Sequence, residues 1–511
     1  MTVIRQRYER LESERQPFLD RARDAAELTI PSLLPPDGHS AHSKLYTPYQ
    51  GIGARGVNNL SSKMLLALLP PNSPFFRLTV DDFKLQELAQ EEGARAEVEE
   101  ALSKIERAVM SEIESSSTRI AAFEAIKHLL VAGNVLLFQP DKGGMRVFHM
   151  DRYVLKRDPM GNALEIVTKE DVSPSALPIE IRELLESSDT EDTSNDEPVS
   201  LFTHIVRRDG KWNVAQEVAG IPVPDSDGTY PLDKSPWIPL RLSRIDGESY
   251  GRGYVEEYQG DLNSLESLTQ SIVEAAAASA KVLFLVRPNG TTRARVLAEA
   301  PNGAIREGDA NDVSTLQVQK SGDMQIAFQT AQEIKERLSF AFLMNSSVQR
   351  NAERVTAEEI RYMASELEDA LGGIYSILSQ EFQLPLVNRL LLQMQKQKKV
   401  PQLPKGVVSP TIVTGLEALG RGHDLNKLAA MLDHLQPLGP EAIQKYMNVG
   451  DYITRVGTSL GMDMGGLIKS EEQMQQEEQQ AMMMQTGQQL APQAFDAMKE
   501  QMTAQQGTEQ T

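Results

Sequence analysis

Cysteine is absent from this chain, which excludes disulfide stapling, thiol catalysis and cysteine-ligated zinc. A surplus of positive charge is missing too: 52 Lys and Arg stand against 72 Asp and Glu, a balance of −20. Proteins that grip nucleic acid neutralise phosphates with a basic face. Tight general DNA or RNA binding is therefore disfavoured, although a local basic ring remains open. Long hydrophobic runs are lacking. Met64–Leu69 and Leu129–Phe138 are too short to span a bilayer, and the opening MTVIRQRYERL has no apolar stretch of an export signal. A cytoplasm-like place of synthesis and assembly is expected.

Catalytic signatures are equally scarce. No GxxxxGK[ST] loop occurs, so an ATP motor within the chain is not expected. The seven histidines (39, 42, 128, 149, 204, 423 and 434) form no HExxH, and His39 and His42 read as a solvent-exposed pair. Residues Gly51 to Gly56 (GIGARG) match GxGxxG, but a dinucleotide site needs a preceding strand and a βαβ unit; TPYQ precedes it. Small residues easing helix entry or close packing explain it better. Gly457 to Gly461 (GTSLG) matches GxSxG with no histidine downstream, so a nucleophile elbow is not expected. Paired carboxylates such as Glu91-Glu92 and Glu358-Glu359 read as solvated helix faces.

What is present is a chain of 511 residues, 40% of them hydrophobic, enough for a sizeable core and a prior of two to four domains. Apolar spacing predicts helices over Ile4–Ile30, Gly53–Leu69, Gln86–Ser115 and Ile120–Ala132. Strands are predicted at Asn134–Pro140, Met145–Met150, Tyr153–Arg157, Ala163–Lys169, Leu201–Arg208, Trp212–Val218 and Ile238–Ser243. The acidic stretch Ser187–Pro198 reads as a solvated loop. Asp261–Lys281 is an Ala- and Ser-rich helix, buried in a monomer or packed side by side in a ring. A β-rich module over Val282–Phe328 separates it from a second helix at Ala331–Leu343. A polar loop, Asn345–Arg354, leads to a long helical pattern. Thr356 and Glu359 form a capping box, and Ile360, Met363, Leu367, Leu371, Ile374 and Leu378 make a seam reaching Lys398, about 60 Å in all. Gly372-Gly373 and Pro385 should bend it. Gly415–Gly461 reads as shorter helices, and the Gln/Met-rich tail from Glu471 as a helix that needs partners.

Several long strings resemble the head-to-tail connector, or portal, family of short-tailed bacteriophages (podovirus type). They are Tyr8–Pro36 (YERLESERQPFLDRARDAAELTIPSLLPP), Thr47–Pro71, Ile245–Leu268 (IDGESYGRGYVEEYQGDLNSLESL), Arg337–Val387 and the GLEALGRGHDL at 415–425. The resemblance covers roughly residues 4 to 465. It implies an α+β, predominantly helical portal fold assembled as a ring, usually a homododecamer, at one capsid vertex. Its segments would be a wing (1–256), a first stem helix (257–285), a clip (286–328) and a second stem helix (329–344). A tunnel loop (345–355), a long kinked wing helix (356–404), a crown (405–466) and a helical barrel with a flexible tail (467–511) would follow. Double-stranded DNA would enter and leave through the bore without sequence readout. Partners would be a terminase packaging motor, major capsid and scaffolding proteins, tail adaptor proteins and internal core proteins. No catalytic residue, metal or cofactor is implied.

On that reading Arg350, Asn351 and Arg354 lie in the tunnel loop. There the arginines would touch phosphate, or pair with Glu353, Glu358 or a carboxylate of the next subunit. Arg287, Arg293 and Arg295 form a basic clip cluster facing DNA, an acidic partner or solvent. Gly372 and Gly373 are a candidate hinge. Twelve copies of the chain would carry about −240 charges, so the bore would repel phosphate and let a duplex slide. Competing readings are a nucleotide-binding enzyme using Gly51 to Gly56 and a helical adaptor or scaffolding protein of the same virion.

Overall fold

A computed structural model describes residues 4–40, 42–71, 74–80, 94–188, 198–279, 283–316, 321–344, 371–403 and 408–412, and a few residues between 430 and 456. Apolar residues three and four apart set the first helix, α1 (Ile4–Glu27), which buries Tyr8, Leu11, Leu19, Ala22 and Ala26 along one face. Its N-terminus is held by Glu217, whose carboxylate accepts from the amides of Ile4 (2.7 Å) and Arg5 (3.3 Å). These satisfy donors that a helix start leaves free. Helix α2 (Ile52–Leu68) begins immediately after Gly51. No strand precedes it in residues 42–50, so the GIGARG segment is no dinucleotide turn. Its glycines serve packing: a Cβ at Gly53 would sit 2.5 Å from the Leu28 carbonyl oxygen, and one at Gly56 2.5 Å from the Phe342 ring.

Strand β1 (Phe76–Val80) and helices α3 (Ala94–Ser115) and α4 (Thr118–Ala132) follow. Gly133 ends α4 in the left-handed region (φ 73°), and a Cβ there would strike the Arg252 backbone at 2.4 Å. The chain then turns to strands β2 (Asn134–Phe138), β3 (Arg146–Phe148), β4 (Tyr153–Arg157) and β5 (Ala163–Val172). Helix α5 (Ile179–Ser188), which the periodicity did not anticipate, seats Ile181 against Val218. Strands β6 (Val199–Arg208), β7 (Lys211–Val218), β8 (Ile221–Pro222), β9 (Gly228–Pro231) and β10 (Trp237–Arg241) complete this series. The strand expectations hold to within a few residues.

Two antiparallel sheets result. One has the order β10-β2-β3, with the apolar run of β2 buried at its centre; the other runs β4-β5-β6-β7-β8, with β9 also on β7. Helix α1 covers the second sheet, where Tyr8 and Leu11 meet Val154, Val167 and Phe202.

A short helix, α6 (Tyr254–Glu257), leads into α7 (Gln259–Ser279). Strand β11 (Leu283–Val286) pairs antiparallel with β12 (Val313–Leu316), with helix α8 (Ala294–Ala298) between them. Helix α9 (Ser321–Ala341) begins ten residues before the expected Ala331, inside the segment assigned to the clip.

The long helical pattern is described from 371 onward. Residues 371–378 are α-helical, Ser379–Gln383 form a π turn, and α10 (Leu384–Lys396) follows. The departure has a physical cause in Pro385, which has no N–H to donate and whose ring crowds the carbonyl of Glu381. Strand β13 (Val408–Ile412) pairs with β1. The chain divides into two compact units, 1–418 and 419–511. In the second, residues 430–435 form a helical turn. Of the stretch expected as a loop over Ser187–Pro198, Ser187 and Ser188 instead end helix α5; residues 189–197, the capping box at Thr356, the GTSLG segment and the tail lie outside the described residues.

Candidate functional site

Small and polar side chains dominate the second half of α7 (SLTQSIVEAAAAS from Ser267). They give a helix little to bury in its own subunit, and no residue from Ser267 to Ser279 is buried. Helix α9 packs beside it through Ile334 and Leu338, and Arg337 meets Asp261 at 2.7 Å. Its first half is equally uncovered: nothing in 322–330 is buried. Large apolar side chains stand in water along this pair and the module it brackets. Phe340 is 75% exposed, Ile326 68% and Phe284 63%, and Val273, Leu285 and Phe328 are exposed as well. A run of this kind is larger than scattered single exposed side chains and marks an interaction surface.

The base of the pair is fixed firmly. Glu266 accepts from the Tyr46 hydroxyl (2.5 Å) and the amides of Tyr49 (2.8 Å) and Gln50 (3.0 Å). That hydrogen bond to the carboxylate pushes the Tyr46 phenol up to about 12. At the end of α9, the carbonyls of Phe342 and Leu343 accept from Asn59, and Leu343 also accepts from Lys63. Helix α2 therefore caps the point from which the polar loop departs.

Arg287, Arg293 and Arg295 are all exposed on the module between the two helices. Arg293 is the N-cap of α8, and Arg295 pairs with Glu299 one turn on, at 2.9 Å. Arg350, Asn351 and Arg354 lie outside the described residues. Gly372 and Gly373 sit in α-helix, neither has positive φ, and a Cβ on either would meet nothing within 4 Å. Neither packing nor backbone geometry requires glycine there.

Sequence reasoning missed the anchors that begin one turn further on. Tyr375 and Gln383 donate to the carbonyls of Ala67 (2.8 Å) and Leu68 (2.6 Å) at the end of α2. Glu381, inside the π turn, accepts from Arg241 Nε (3.0 Å) and Nη2 (2.8 Å), with Arg157 Nη2 at 3.9 Å. Arg389, 1% exposed, donates to the Gln139 carbonyl (3.1 Å) and Asp141 (2.6 Å). Arg389 falling between the apolar LPLV and LLL runs is the one sequence signal that could have pointed to the last of them. Among the described residues, no group of three or more His, Asp or Glu is placed to hold a metal, and no helix is long and apolar enough to cross a membrane.

A paired helical element with an uncovered apolar face, with no metal group among the described residues, is the site's main feature. Residues 2–468 match the family described as bacteriophage head to tail connecting protein, and the chain belongs to that family. The portal protein of Escherichia phage T7 is 46% identical over 473 residues, covering 91% of this chain and 88% of the relative. That of Enterobacteria phage T3 is 45% identical over 472 residues, with the same coverage, and that of Enterobacteria phage SP6 32% over 471, covering 91% and 90%. A solved neck of an empty gene transfer agent particle aligns over 80% of this chain and 89% of its own at 12% identity, with a TM-score of 0.36; that similarity adds nothing to the assignment. The chain is a head-to-tail connector of a bacteriophage particle, and the scaffolding alternative is not favoured.

Proposed function

We propose that copies of this chain close into a ring of about twelve subunits through which double-stranded DNA passes into and out of the capsid. The observation that carries this reading is the uncovered helix pair. Two adjacent helices with small-residue faces and exposed Val273, Ile326, Phe328 and Phe340 are unfavourable in a lone subunit. They become favourable once neighbouring copies remove that surface from water. Beyond the buried Glu266 and the Asp261–Arg337 pair, the same helices carry Glu274, Asp323, Glu333 and Glu336 against Lys335. An acidic bore repels phosphate, so a duplex slides rather than adheres.

In this assignment α7 and α9 are the stem, the β11–β12 module the clip and the sheets the wing, with crown and barrel following. The exposed Arg287, Arg293 and Arg295 suit the clip to DNA or to an acidic partner face. The clip would meet a terminase ATPase first and tail adaptor proteins later. Capsid, scaffolding and internal core proteins would meet the other surfaces, and assembly would take place in the host cytoplasm. The chain would do no chemistry of its own. Arg350, Asn351 and Arg354 would touch the DNA backbone from the tunnel loop. Gly372-Gly373, just N-terminal to the Tyr375 anchor, would be the point where the long helix bends to move that loop.

Sedimentation of the purified chain tests the ring. Wild type should run as a closed high-mass species, and Phe340→Glu should shift it to smaller species with the same helical content. A variant that assembles as fully as wild type would remove the helix pair from the interface.

A further inference from the structure

The π turn at Ser379–Gln383 holds one residue more than an α-helix would place there. Resorbing that residue would shift the helix N-terminal to the turn by about 1.5 Å and rotate it by about 100°. Residues 371–378 therefore have two registers open to them, and something must choose. Pro385 biases the choice, because a regular α-helix would bring its ring against the Glu381 carbonyl.

The second bias is electrostatic. Arg157 and Arg241 come from neighbouring strands of different sheets, and their side chains are only 5% and 4% exposed. Both guanidinium groups donate to the Gly161 carbonyl, at 2.9 and 3.3 Å. Gly161 is in the left-handed region (φ 89°), where a Cβ would lie 2.5 Å from Arg241 Nη2. Arg157 also donates to the Pro239 carbonyl (3.0 Å). Two buried cations thus share one nearby carboxylate, Glu381, which the π turn presents to them. Burial draws the Arg157 pKa down to about 10, which leaves it charged at neutral pH. Without Glu381 two buried guanidinium groups would face each other with no neighbouring anion, an unfavourable arrangement.

We propose that Glu381 is a positioning residue: seated between Arg157 and Arg241, it locks the π register and thereby fixes where residues 371–378 lie. In the other register Tyr375 leaves the Ala67 carbonyl and Glu381 leaves the arginine pair. The inference rests on the fold alone and stands whether or not the chain forms a ring.

Hydrogen exchange on the full-length chain tests it. Glu381→Gln should raise exchange of the 371–378 amides about tenfold or more, with β2, β10 and α1 unchanged. Glu381→Asp, which keeps the charge, should restore part of the protection. Adding Pro385→Ala to Glu381→Gln should raise exchange further, since both biases are then gone. If Glu381→Gln does not fold, Arg241→Lys, which keeps the charge but loses the two-nitrogen contact, is read in the same way. Exchange of 371–378 within twofold of wild type would overturn the proposal. So would a uniform rise across β2 and β10, because the ion pair would then only hold the sheets together.

Discussion

Burial decides the acid response of single residues. His128 and His149 stack with ring centroids 6.2 Å apart and planes 19° from parallel. Burial, with the neighbouring ring second, takes His128 from 6.5 to about 4. Burial, with Arg152 and Arg15 after it, takes His149 down to about 4 as well, against the opposing pull of the Asp151 carboxylate that meets its Nδ1. Both bind protons more readily unfolded than folded. The stability they contribute is complete above pH 6.5 and is lost as pH falls towards 4. Glu165 works lower. Burial alone would raise its pKa, but hydrogen bonds from His204 (2.8 Å) and Arg7 (2.5 and 2.9 Å) outweigh that and hold it at about 2, against 4.5. Its contribution is complete above pH 4.5 and lost as pH falls towards 2. Denaturant midpoints followed against pH should therefore decline in two limbs. His128→Leu should flatten the upper limb and Glu165→Gln the lower; a profile unchanged by both would contradict the assignment. Gly53 offers a steric test at the same scale. Backbone, not a yielding side chain, lies 2.5 Å from its Cβ position, so Gly53→Ala should destabilise by about 1–3 kcal/mol, read as a lower Tm.

At the scale of elements, the helices that bury a stripe in their own subunit were legible and those that do not were harder to read. Helix α1 shows its seam plainly because Tyr8, Leu11, Ala22 and Ala26 all meet one core. The first half of α9 does not. Met324, Ile326 and Phe328 alternate at spacing two within the segment expected to be β-rich, yet they lie on the first half of a helix, where no residue from 322 to 330 is buried. Selection by other chains leaves no 3.6-residue imprint of an internal core. Helix α5 was hidden for another reason: its acidic sequence runs into the polar stretch beyond Ser188, which masks the seat of Ile181 against Val218. The anchors of the long helix could not be read at all, because Glu381 and Arg241 are 140 residues apart and periodicity carries no information on such pairs. Gly372 and Gly373 were legible as helix breakers, and their empty surroundings sharpen the expectation. Each Gly→Ala change should stabilise the helix by about 0.5–1 kcal/mol. If the pair is a hinge, the double variant should package, retain or eject DNA abnormally despite its higher stability. Normal behaviour in all three assays would end the hinge reading.

At the scale of the whole molecule, composition and fold point the same way. A chain with a charge of −20 keeps its cations in specific places: Arg157, Arg241 and Arg389 are buried as fasteners, and Arg287, Arg293 and Arg295 are exposed on the module between the helices. The rest of the paired helices is acidic and partly greasy, which suits a wall shared between copies rather than a surface left in water. The family was legible from long strings of residues in order. The exposure of Phe340, Ile326 and Phe284 was not, because periodicity does not say which apolar side chains a subunit leaves uncovered. Electron microscopy of the purified full-length chain tests the central claim most directly. The account predicts closed rings near twelve subunits, with α7 and α9 side by side around a continuous bore. Single subunits at every concentration, or open assemblies with that helix pair facing outward, would contradict it.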